Sequence, residues 1–320
     1  AVGIGTWPCS SLLAALATGG GPLMARRRWS RRKKRVVFTL LVLCVLCVLY
    51  AIFIESRWLK VERIELHLGK LPPSMDGLRV VHLTDFHYPR GLDEAYFLRV
   101  VRVTNALAPD VIVITGDFIA HAAEDADACA SILTKLHARD GVYGVLGNHD
   151  YGTSSEYVTR ALRRAGITIL RNQSAVIERD GERLWIVGLN DHWKKAGDLP
   201  AAMRGVPAAT EPVILLVHEP DIADVAACEP IDLQLSGHAH GGLVWIPGTT
   251  APILPQLYRK YPRGLYQVDE MYLYTNRGVG VIPILNIPFR FNARPEITLI
   301  ILRAGSGSSH PTPRRVRVEI

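Results

Sequence analysis

Apolar runs and amphipathic stretches alternate along the chain from Leu78 onward. Three short runs rich in Val, Ile and Leu occupy residues 78–84, 111–115 and 142–146. Stretches with helical spacing of their apolar positions follow these runs, at about 93–107, 124–138 and 154–164. Continuous apolar runs are typical of strands that are buried on both faces, and their alternation with helices indicates βαβ units.

The second half of the chain continues the strand pattern and adds a hairpin. Asp180-Gly181 separates two apolar runs in AVIERDGERLWIVGL, and Asp-Gly is a strong signal for a two-residue hairpin turn. Strands are also predicted at 213–218 and 231–237, with a short helix near 221–227 between them. The closing runs GLYQV, MYLYTN and EITLIIL predict antiparallel strands that cap the sheet system. The whole pattern predicts an α/β fold.

An uninterrupted apolar stretch precedes this pattern. Residues 36–54, VVFTLLVLCVLCVLYAIFI, contain no charge, proline or glycine. At about 1.5 Å per residue, a helix of this length reaches roughly the thickness of a bilayer's hydrocarbon core. Tyr50 and Trp58 stand where interfacial aromatic side chains are expected. We therefore expect one N-terminal transmembrane helix.

Basic residues on the N-terminal side of this stretch predict its orientation. Eight arginines and lysines fall within residues 26–35, and without them the rest of the chain is close to neutral. Because basic flanks stay in the cytoplasm, we expect a single-pass protein whose domain after Glu55 is extracytoplasmic or periplasmic. A nucleic-acid or nuclear-targeting patch is the alternative interpretation of such a block. The apolar stretch directly after it favours the membrane.

The ends of the chain carry little pattern. Residues 1–35 are interpreted as a basic cytoplasmic segment, of which 1–23 form an extension before Met24. A cleaved signal peptide or a twin-arginine signal is the alternative, but the long apolar stretch lacks a small-x-small site and favours an uncleaved anchor. Residues 57–302 are expected to form the folded domain. The Gly-, Ser- and Pro-rich residues 303–320 are predicted to be disordered.

Five polar clusters each stand at the end of a predicted strand. They are Asp85-Phe86-His87, Gly116-Asp117, Gly147-Asn148-His149-Asp150, His218 and Gly237-His238-Ala239-His240. The carboxyl ends of strands in an open α/β sheet face one crevice, so clusters far apart in sequence are expected to meet there. Glycines directly before Asp117, Asn148 and His238 allow tight turns that bring these side chains together.

The side chains in these clusters suit a metal site. Carboxylate, amide and imidazole groups form a mixed oxygen and nitrogen ligand set, which fits Mn, Fe or Zn. Two such ions about 3.5–4 Å apart can hold a hydroxide between them and clamp a phosphoryl group. The positive charge that this ligand set leaves on the metals suits an anionic phosphate ester. Two divalent metal ions are therefore the predicted cofactors.

The motifs D-x-H, G-D, G-N-H-D, H and G-H-x-H occur complete and in this order. In this the chain resembles the calcineurin-like metallophosphoesterases. The segments LPPSMDGLRVVHLTDFH, HEPD, GHAHGG and NRGVG are similar to the membrane-associated branch of YkuE/YaeI-like phosphodiesterases. The resemblance runs from about Arg57 to Leu302. It implies a four-layer αββα sandwich, here preceded by one transmembrane helix.

The resemblance also implies a role for each motif residue. The first metal would be bound by Asp85, His87 and His240, the second by Asn148, His218 and His238, and Asp117 would bridge both. His149 would contact the scissile phosphate and protonate the leaving oxygen, and Asp150 would orient His149.

Two residues outside the motifs are predicted to contact substrate. Arg277, in NRGVG, follows a predicted strand, and its guanidinium could fork onto a phosphate; a structural turn is the alternative interpretation. His192 ends the GLND loop and is expected to line the crevice.

Hydrolysis of a phosphodiester or pyrophosphate bond by a metal-bridged hydroxide is the reaction that the resemblance implies. The anchor favours a lipid or lipid-linked phosphoester, so the bilayer and this substrate are the expected partners. The resemblance is also compatible with UDP-diacylglucosamine pyrophosphatase-like activity. That substrate is cytoplasmic, however, whereas the basic block predicts an extracytoplasmic domain. The alternatives are a non-catalytic membrane scaffold and a nucleotide or nucleic-acid phosphodiesterase. Because Lys and Arg are sparse near the motifs, no nucleic-acid partner is expected.

Overall fold

The computed structural model describes residues 30–246, 260–282 and 287–316, and the predicted extension at 1–23 lies outside these ranges. The chain divides into two compact units, Ala1–Cys47 and Val48–Ile320. The α-helices in the described ranges are α1 (Arg31–Leu49), α2 (Glu94–Ala106), α3 (Asp125–Leu133), α4 (Asn148–Arg164), α5 (Leu199–Ala202) and α6 (Ala223–Ala226).

The strands form two sheets. Those of the first sheet are β1 (Lys60–Leu68), β2 (Leu78–Leu83), β3 (Val111–Thr115), β4 (Val142–Val145), β5 (Ile167–Ile169) and β12 (Glu296–Ala304). Those of the second sheet are β6 (Gln173–Arg179), β7 (Glu182–Gly188), β8 (Val213–Leu216), β9 (Leu233–Ser236), β10 (Gly264–Val268), β11 (Met271–Thr275) and β13 (Arg314–Val316). The predicted α/β class is confirmed.

The first sheet has the strand order β1-β12-β2-β3-β4-β5. Strands β2 to β5 are parallel, as the predicted βαβ units require. The prediction that EITLIIL caps the sheets was wrong, since β12 lies inside this sheet, parallel to β1 and antiparallel to β2. The physical reason is burial: β12 is apolar on both faces, with Ile297 in one core and Ile300 in the other, so it requires neighbours on both edges.

The second sheet has the strand order β13-β10-β11-β9-β8-β7-β6. The hairpin predicted around Asp180-Gly181 is present as the antiparallel pair β6–β7, and β10–β11 is the predicted antiparallel pair of the closing region. Strands β7, β8, β9 and β11 run parallel. Their carboxyl ends therefore lie at one edge of the sheet.

The tail after Arg303 is ordered up to residue 316, so the prediction of disorder was wrong for these residues. Strand β13 pairs with β10, and His310 exchanges both backbone hydrogen bonds with Glu65, at 2.7 and 2.8 Å. The composition is typical of a flexible segment, but these bonds satisfy the backbone of the tail against two strand edges.

Three apolar cores separate four layers, as expected for an αββα sandwich. One core lies between the first sheet and helices α2, α3 and α4. The middle core joins the two sheets, and the third packs α5, α6 and the loop residue Tyr261 on the outer face of the second sheet. Strand β3 shows why its sequence is continuously apolar: Ile112 and Ile114 face the helices, whereas Val111 and Val113 face the other sheet.

The apolar stretch predicted to span a membrane is helical. Residues Arg31–Arg57 form one helical run of 27 residues, whose most apolar 18-residue window has a mean hydropathy of 3.1 and is 6% buried. Side chains such as Phe38 are exposed, which distinguishes this helix from the core helix of a soluble domain. By length and composition the helix can cross a bilayer.

The folded domain extends further at both ends than the predicted range 57–302. Residues 48–57 belong to the larger compact unit. Ala51 is fully buried, and the buried Glu55 accepts a hydrogen bond from the backbone N–H of Ala293 at 2.7 Å. These contacts tie the last turns of the apolar run to the domain, which composition alone does not reveal.

Candidate metal centre

Five polar clusters meet beyond the carboxyl ends of β2, β3, β4, β8 and β9. The carboxylates of Asp85 and Asp117 and the imidazoles of His87, His218 and His240 are each at most 2% exposed. Polar groups buried to this degree are costly unless they are paired or bind a metal. Three sets of these side chains place one ligand atom each within 4.8 Å of one another: Asp85, His87 and His240; His87, Asp117 and His149; Asp117, His218 and His238.

Asp117 occupies the middle of the site. Its Oδ2 lies 3.6 Å from Nε2 of His87 and 3.2 Å from Nε2 of His218. Its Oδ1 accepts a hydrogen bond from the backbone N–H of His149 at 2.9 Å. One oxygen is therefore held by the backbone, and the other points between the two histidines that would belong to different metals. This is the arrangement expected of a bridging carboxylate.

The two carboxylate oxygens of Asp85 also have different partners, as those of Asp117 do. Oδ2 accepts hydrogen bonds from the Thr84 hydroxyl at 2.8 Å and from the His238 backbone N–H at 2.9 Å. Oδ1 lies 3.2 Å from Nε2 of His240 and 3.7 Å from Nε2 of His87, and these two nitrogens are 3.0 Å apart. The hydrogen bonds of Oδ2 therefore turn Oδ1 toward the two imidazoles.

Unsatisfied buried atoms at the centre fit a metal. Oδ1 of Asp85, Oδ1 of Asn148 and Nε2 of His218 are buried and make no hydrogen bond to any described residue. Leaving a buried polar atom unsatisfied costs about 1–3 kcal/mol, so the unsatisfied atoms of Asp85 and His218, both members of the ligand sets, indicate that another group completes their bonding. Oxygen and imidazole donors of this kind suit a divalent first-row metal.

The hydrogen bond of Nδ1 of His218 determines that Nε2 is the nitrogen that faces the centre of the site. Nδ1 of His218 lies 2.6 Å from the carbonyl oxygen of Thr115 and donates to it. The neutral ring then presents a lone pair on Nε2, which is the form that binds a metal. A carbonyl acceptor on the far side of a ligating histidine also makes that ligand more basic.

The electrostatics of the site favour ionised carboxylates. Burial alone would raise the pKa of Asp85, but the neighbouring His240 and His87 hold it well below its usual range. Burial alone would also raise the pKa of Asp117, but its neighbours lower it, and His218 has the largest lowering effect. Burial would lower the pKa of His218, yet the negative charge of Asp117 raises it well above its usual value. A proton on His218 therefore competes with a cation, and metal binding would release it.

The backbone at the centre is tight. Asp85, His87 and Asp117 adopt φ values of 53°, 47° and 55°, which cost an L-residue roughly 1–2 kcal/mol each. A Cβ at Gly147 would lie 2.3 Å from Oδ1 of Asp117, and one at Gly237 would lie 2.0 Å from the Thr84 hydroxyl. Only glycine allows the strand-end loops to approach each other this closely.

His149 lies beside the metal ligands in the first turn of α4, which begins six residues before the predicted helix. Its ring is half-buried and meets the His87 ring edge-on, with centroids 4.7 Å apart. Nδ1 of His149 lies 2.7 Å from the carbonyl oxygen of Ala120 and donates to it. Burial lowers the pKa of His149. Nε2 is thus the nitrogen left to act on a substrate.

The carboxylate of Asp150 makes its hydrogen bonds to backbone N–H groups, and its role in orienting His149 stays a prediction. Its Oδ1 accepts from the backbone N–H groups of Phe118 and Ile119 at 3.0 and 3.2 Å, and its Oδ2 accepts from Gly147 at 3.0 Å. Asp150 therefore holds the loop that carries the His149 partner Ala120. Burial, reinforced by the charge of Asp117, raises the pKa of Asp150 to about 8.

The sequence from 78 to 242 matches the family described as calcineurin-like phosphoesterase. The chain belongs to this family. It is 32% identical to the metallophosphoesterase YkuE of Bacillus subtilis, over 80% of this chain and 89% of that protein. It is 31% identical to the phosphodiesterase YaeI of Escherichia coli, over 79% and 92%. It is 30% identical to the UDP-2,3-diacylglucosamine pyrophosphatase LpxG of Chlamydia trachomatis, over 82% and 94%.

Membership confirms the resemblance on which the motif assignment depends. The chain is a hydrolase of the metallophosphoesterase family, with candidate ligand clusters for divalent metals. The individual roles of the motif residues stay predictions, although all seven predicted ligands lie at one end of the two sheets. The structure brings Asp85, His87 and His240 together on one side of Asp117, and His218 and His238 on the other.

The two predicted substrate residues of the phosphoesterase have different environments. Arg277 makes ion pairs with Glu62 at 2.8 Å and with Glu296 at 2.6 Å, so its guanidinium is engaged by carboxylates. These ion pairs favour the structural interpretation of Arg277. His192 is exposed and precedes Trp193, whose ring meets that of His238. Substrate contact by either residue stays a prediction.

Other residues at the phosphoesterase site carry no motif signal. The exposed Trp193 meets the His238 ring edge-on, with centroids 5.7 Å apart. The exposed His121 lies with its ring centroid 5.7 Å from that of His149 and is bonded to Arg90. Sequence spacing could not find these residues, because each reaches the site through a loop whose path depends on tertiary packing.

Proposed function

We propose that this chain is a membrane-anchored phosphoesterase that uses two divalent metal ions to hydrolyse phosphodiester or pyrophosphate bonds of a lipid or lipid-linked substrate. The observation that carries the proposal is the position of Asp117, whose Oδ2 lies between Nε2 of His87 and Nε2 of His218. A non-catalytic scaffold would need neither this bridging geometry nor a histidine with a directed nitrogen beside it.

Each side chain of the site has a task in this proposal. Asp85, His87 and His240 would hold one ion, Asn148, His218 and His238 the other, and Asp117 both. When bound, the ions would polarise the phosphoryl group and lower the pKa of the attacking water. His149 lies on the open side, where its Nε2 can contact the phosphate and pass a proton to the leaving oxygen. That step needs the imidazolium form, which the negative charge of a bound phosphate favours against burial.

A lipid or lipid-linked substrate is supported by the apolar helix and by one relative, whose name describes a pyrophosphatase of UDP-2,3-diacylglucosamine. The name of a second relative describes a phosphodiesterase. Residues 48–57, the last turns of the apolar run, belong to the compact unit that carries the site, so the site and the proposed anchor are parts of one continuous segment of chain. The bilayer and an anionic phosphoester are the proposed partners.

An assay of the full chain in detergent or nanodiscs tests the reaction class. With Mn²⁺ we expect turnover of bis-p-nitrophenyl phosphate, less turnover of the monoester, and turnover of a phospholipid or of UDP-diacylglucosamine. A chelator should abolish it and added metal restore it, since the ligands make no catalytic site without the ions. Residues 48–56 must be kept because Ala51 and Glu55 pack on the domain. Two bound metals without hydrolysis of any of these esters would favour the scaffold.

The orientation of the domain is proposed from the basic block before α1, which places the site on the extracytoplasmic side. A periplasmically active reporter fused after Ile320 should be active, and a cytoplasmically active one should not. The reverse pattern would contradict this topology and would favour a cytoplasmic lipid-linked nucleotide as substrate. A variant with the basic residues of 26–35 replaced by glutamine is the matched control, since it removes the orientation signal and leaves the apolar stretch intact.

A further inference from the structure

Arg290 is a fully buried arginine outside every motif of the family. Its guanidinium donates to the carbonyl oxygens of Arg277 and Ala293, both at 2.9 Å, and to those of Gly278 and Gly280. It makes no ion pair with any carboxylate in the ranges that the structure describes. Burying a guanidinium that faces carbonyl oxygens and no carboxylate is costly. We therefore interpret its hydrogen bonds as holding the surrounding backbone in place.

The loop that Arg290 holds lies directly against Asp85. The backbone N–H of Val279 donates to the Thr84 carbonyl at 3.0 Å, and that of Gly280 donates to the Asp85 carbonyl at 2.8 Å. A Cβ at Gly278 would lie 2.7 Å from the Cβ of Asp85. The position of this loop therefore limits where the Asp85 carboxylate can be.

Arg290 also touches His240. Its Nη2 lies 3.2 Å from Nδ1 of His240, on the opposite side of the ring from the Nε2 that faces Asp85. Arg290 therefore contacts the His240 ring as well as the loop 277–280, which lies against Asp85. Burial lowers the pKa of Arg290 to about 10, and the negative charges of Asp85 and Glu296 oppose this shift.

The segment that carries Arg290 is held by the end of the apolar helical run. The backbone N–H of Arg290 lies 3.4 Å from the Ala51 carbonyl, and that of Ala293 donates to the Glu55 carboxylate at 2.7 Å. Glu55 and Ala51 are both buried. A continuous series of contacts therefore connects the last turns of the apolar helical run to the loop that lies against Asp85.

We propose that Arg290 is a positioning residue that fixes Asp85 for the first metal. It does so by holding the loop 277–280 against Asp85. The inference rests on the proposed function, because it assumes that Asp85 binds an ion. Groups that orient metal ligands from behind typically change metal affinity 10- to 100-fold when they are replaced.

The test is a Co²⁺ titration of the full chain in detergent, followed by visible absorbance and by metal content after desalting. Arg290→Met should leave one of the two ions bound at least about ten-fold more weakly and change the cobalt absorption bands. Arg290→Lys, which keeps the charge but not the fork, should be intermediate. Arg179→Met is the matched control, because Arg179 is a largely buried arginine paired with Asp110 and Asp140, away from the site. It should bind and absorb as the parent chain does.

The outcomes separate this inference from the proposed function. A parent chain that binds fewer than two ions would contradict the proposed function itself. If the parent binds two, folded Arg290 variants with its absorption bands and with equal or higher affinity for both ions would overturn the positioning role. Loss of metal in Arg179→Met to the same degree would also overturn it, since general destabilisation would then explain the effect. Should Arg290→Met fail to fold, Arg290→Lys decides by the same measurements.

Discussion

Replacement of Asp117 by alanine is expected to remove both metal ions and to lower kcat/KM by more than about 10³-fold, since the metals supply several kcal/mol of transition-state stabilisation. Asp117 is buried, and its Oδ2 is the oxygen that faces His87 and His218. Without it, His87 and His218 lose the carboxylate oxygen that lies between them, and the backbone N–H of His149 loses its acceptor. Metal content after desalting and the diesterase rate measure this result.

The matched control for this variant lies just before the opposite end of the same strand. Asp110 precedes β3, accepts a hydrogen bond from the backbone N–H of Arg79 at 2.8 Å and pairs with Arg179. Asp110→Ala should lower the free energy of unfolding by about 1–3 kcal/mol and leave both metals bound. If Asp117→Ala instead kept two ions and its rate, the bridging assignment would be wrong.

Replacement of His149 by alanine is expected to keep both metals and to lower kcat about 10²- to 10⁴-fold, the range for loss of a general acid. KM should change little, because the metals rather than His149 hold most of the substrate charge. The loss should be smaller for bis-p-nitrophenyl phosphate, whose leaving group needs little protonation, than for an alkyl diester. Rates with the two substrates and the metal content together measure this result.

His137→Ala is the control for the histidine variant. His137 is a histidine that precedes β4, and its backbone N–H donates to Asn105. The control should retain the parent rate with both substrates. Equal losses for the p-nitrophenyl and alkyl diesters in His149→Ala would reject proton donation and leave only a phosphate-binding role for His149.

The motif positions were predictable because each follows an apolar run. In β3 the residues Val111–Thr115 are all buried, and Asp117 must emerge two residues later in the loop at the sheet edge. The same reasoning placed His87, His218 and His240 at one end of the sheets. The order of strands in the sheets was not predictable, since β12 and β1 pair across more than two hundred residues of sequence.

Local sequence also misjudged the ends of the domain. The tail has the composition of a flexible segment, yet β13 pairs with β10. The partners of Asp150 were not predictable from the sequence either, since the first turn of α4 directs its carboxylate to backbone N–H groups of the neighbouring loop and of Gly147. In both cases distant backbone groups compete for the bonds, and their positions are known only from the fold.

The sequence by itself determined the hydrolase family and the apolar helix that can cross a bilayer. Metal ligands need specific side chains, and a membrane helix needs a long apolar stretch; both are local properties of the chain. Only the tertiary structure decided which oxygen of Asp85 and of Asp117 faces the centre, and that Arg290 and Glu55 support it. Those choices depend on hydrogen bonds between segments remote in sequence, whose partners are set by the packing of two sheets and the end of the apolar helix.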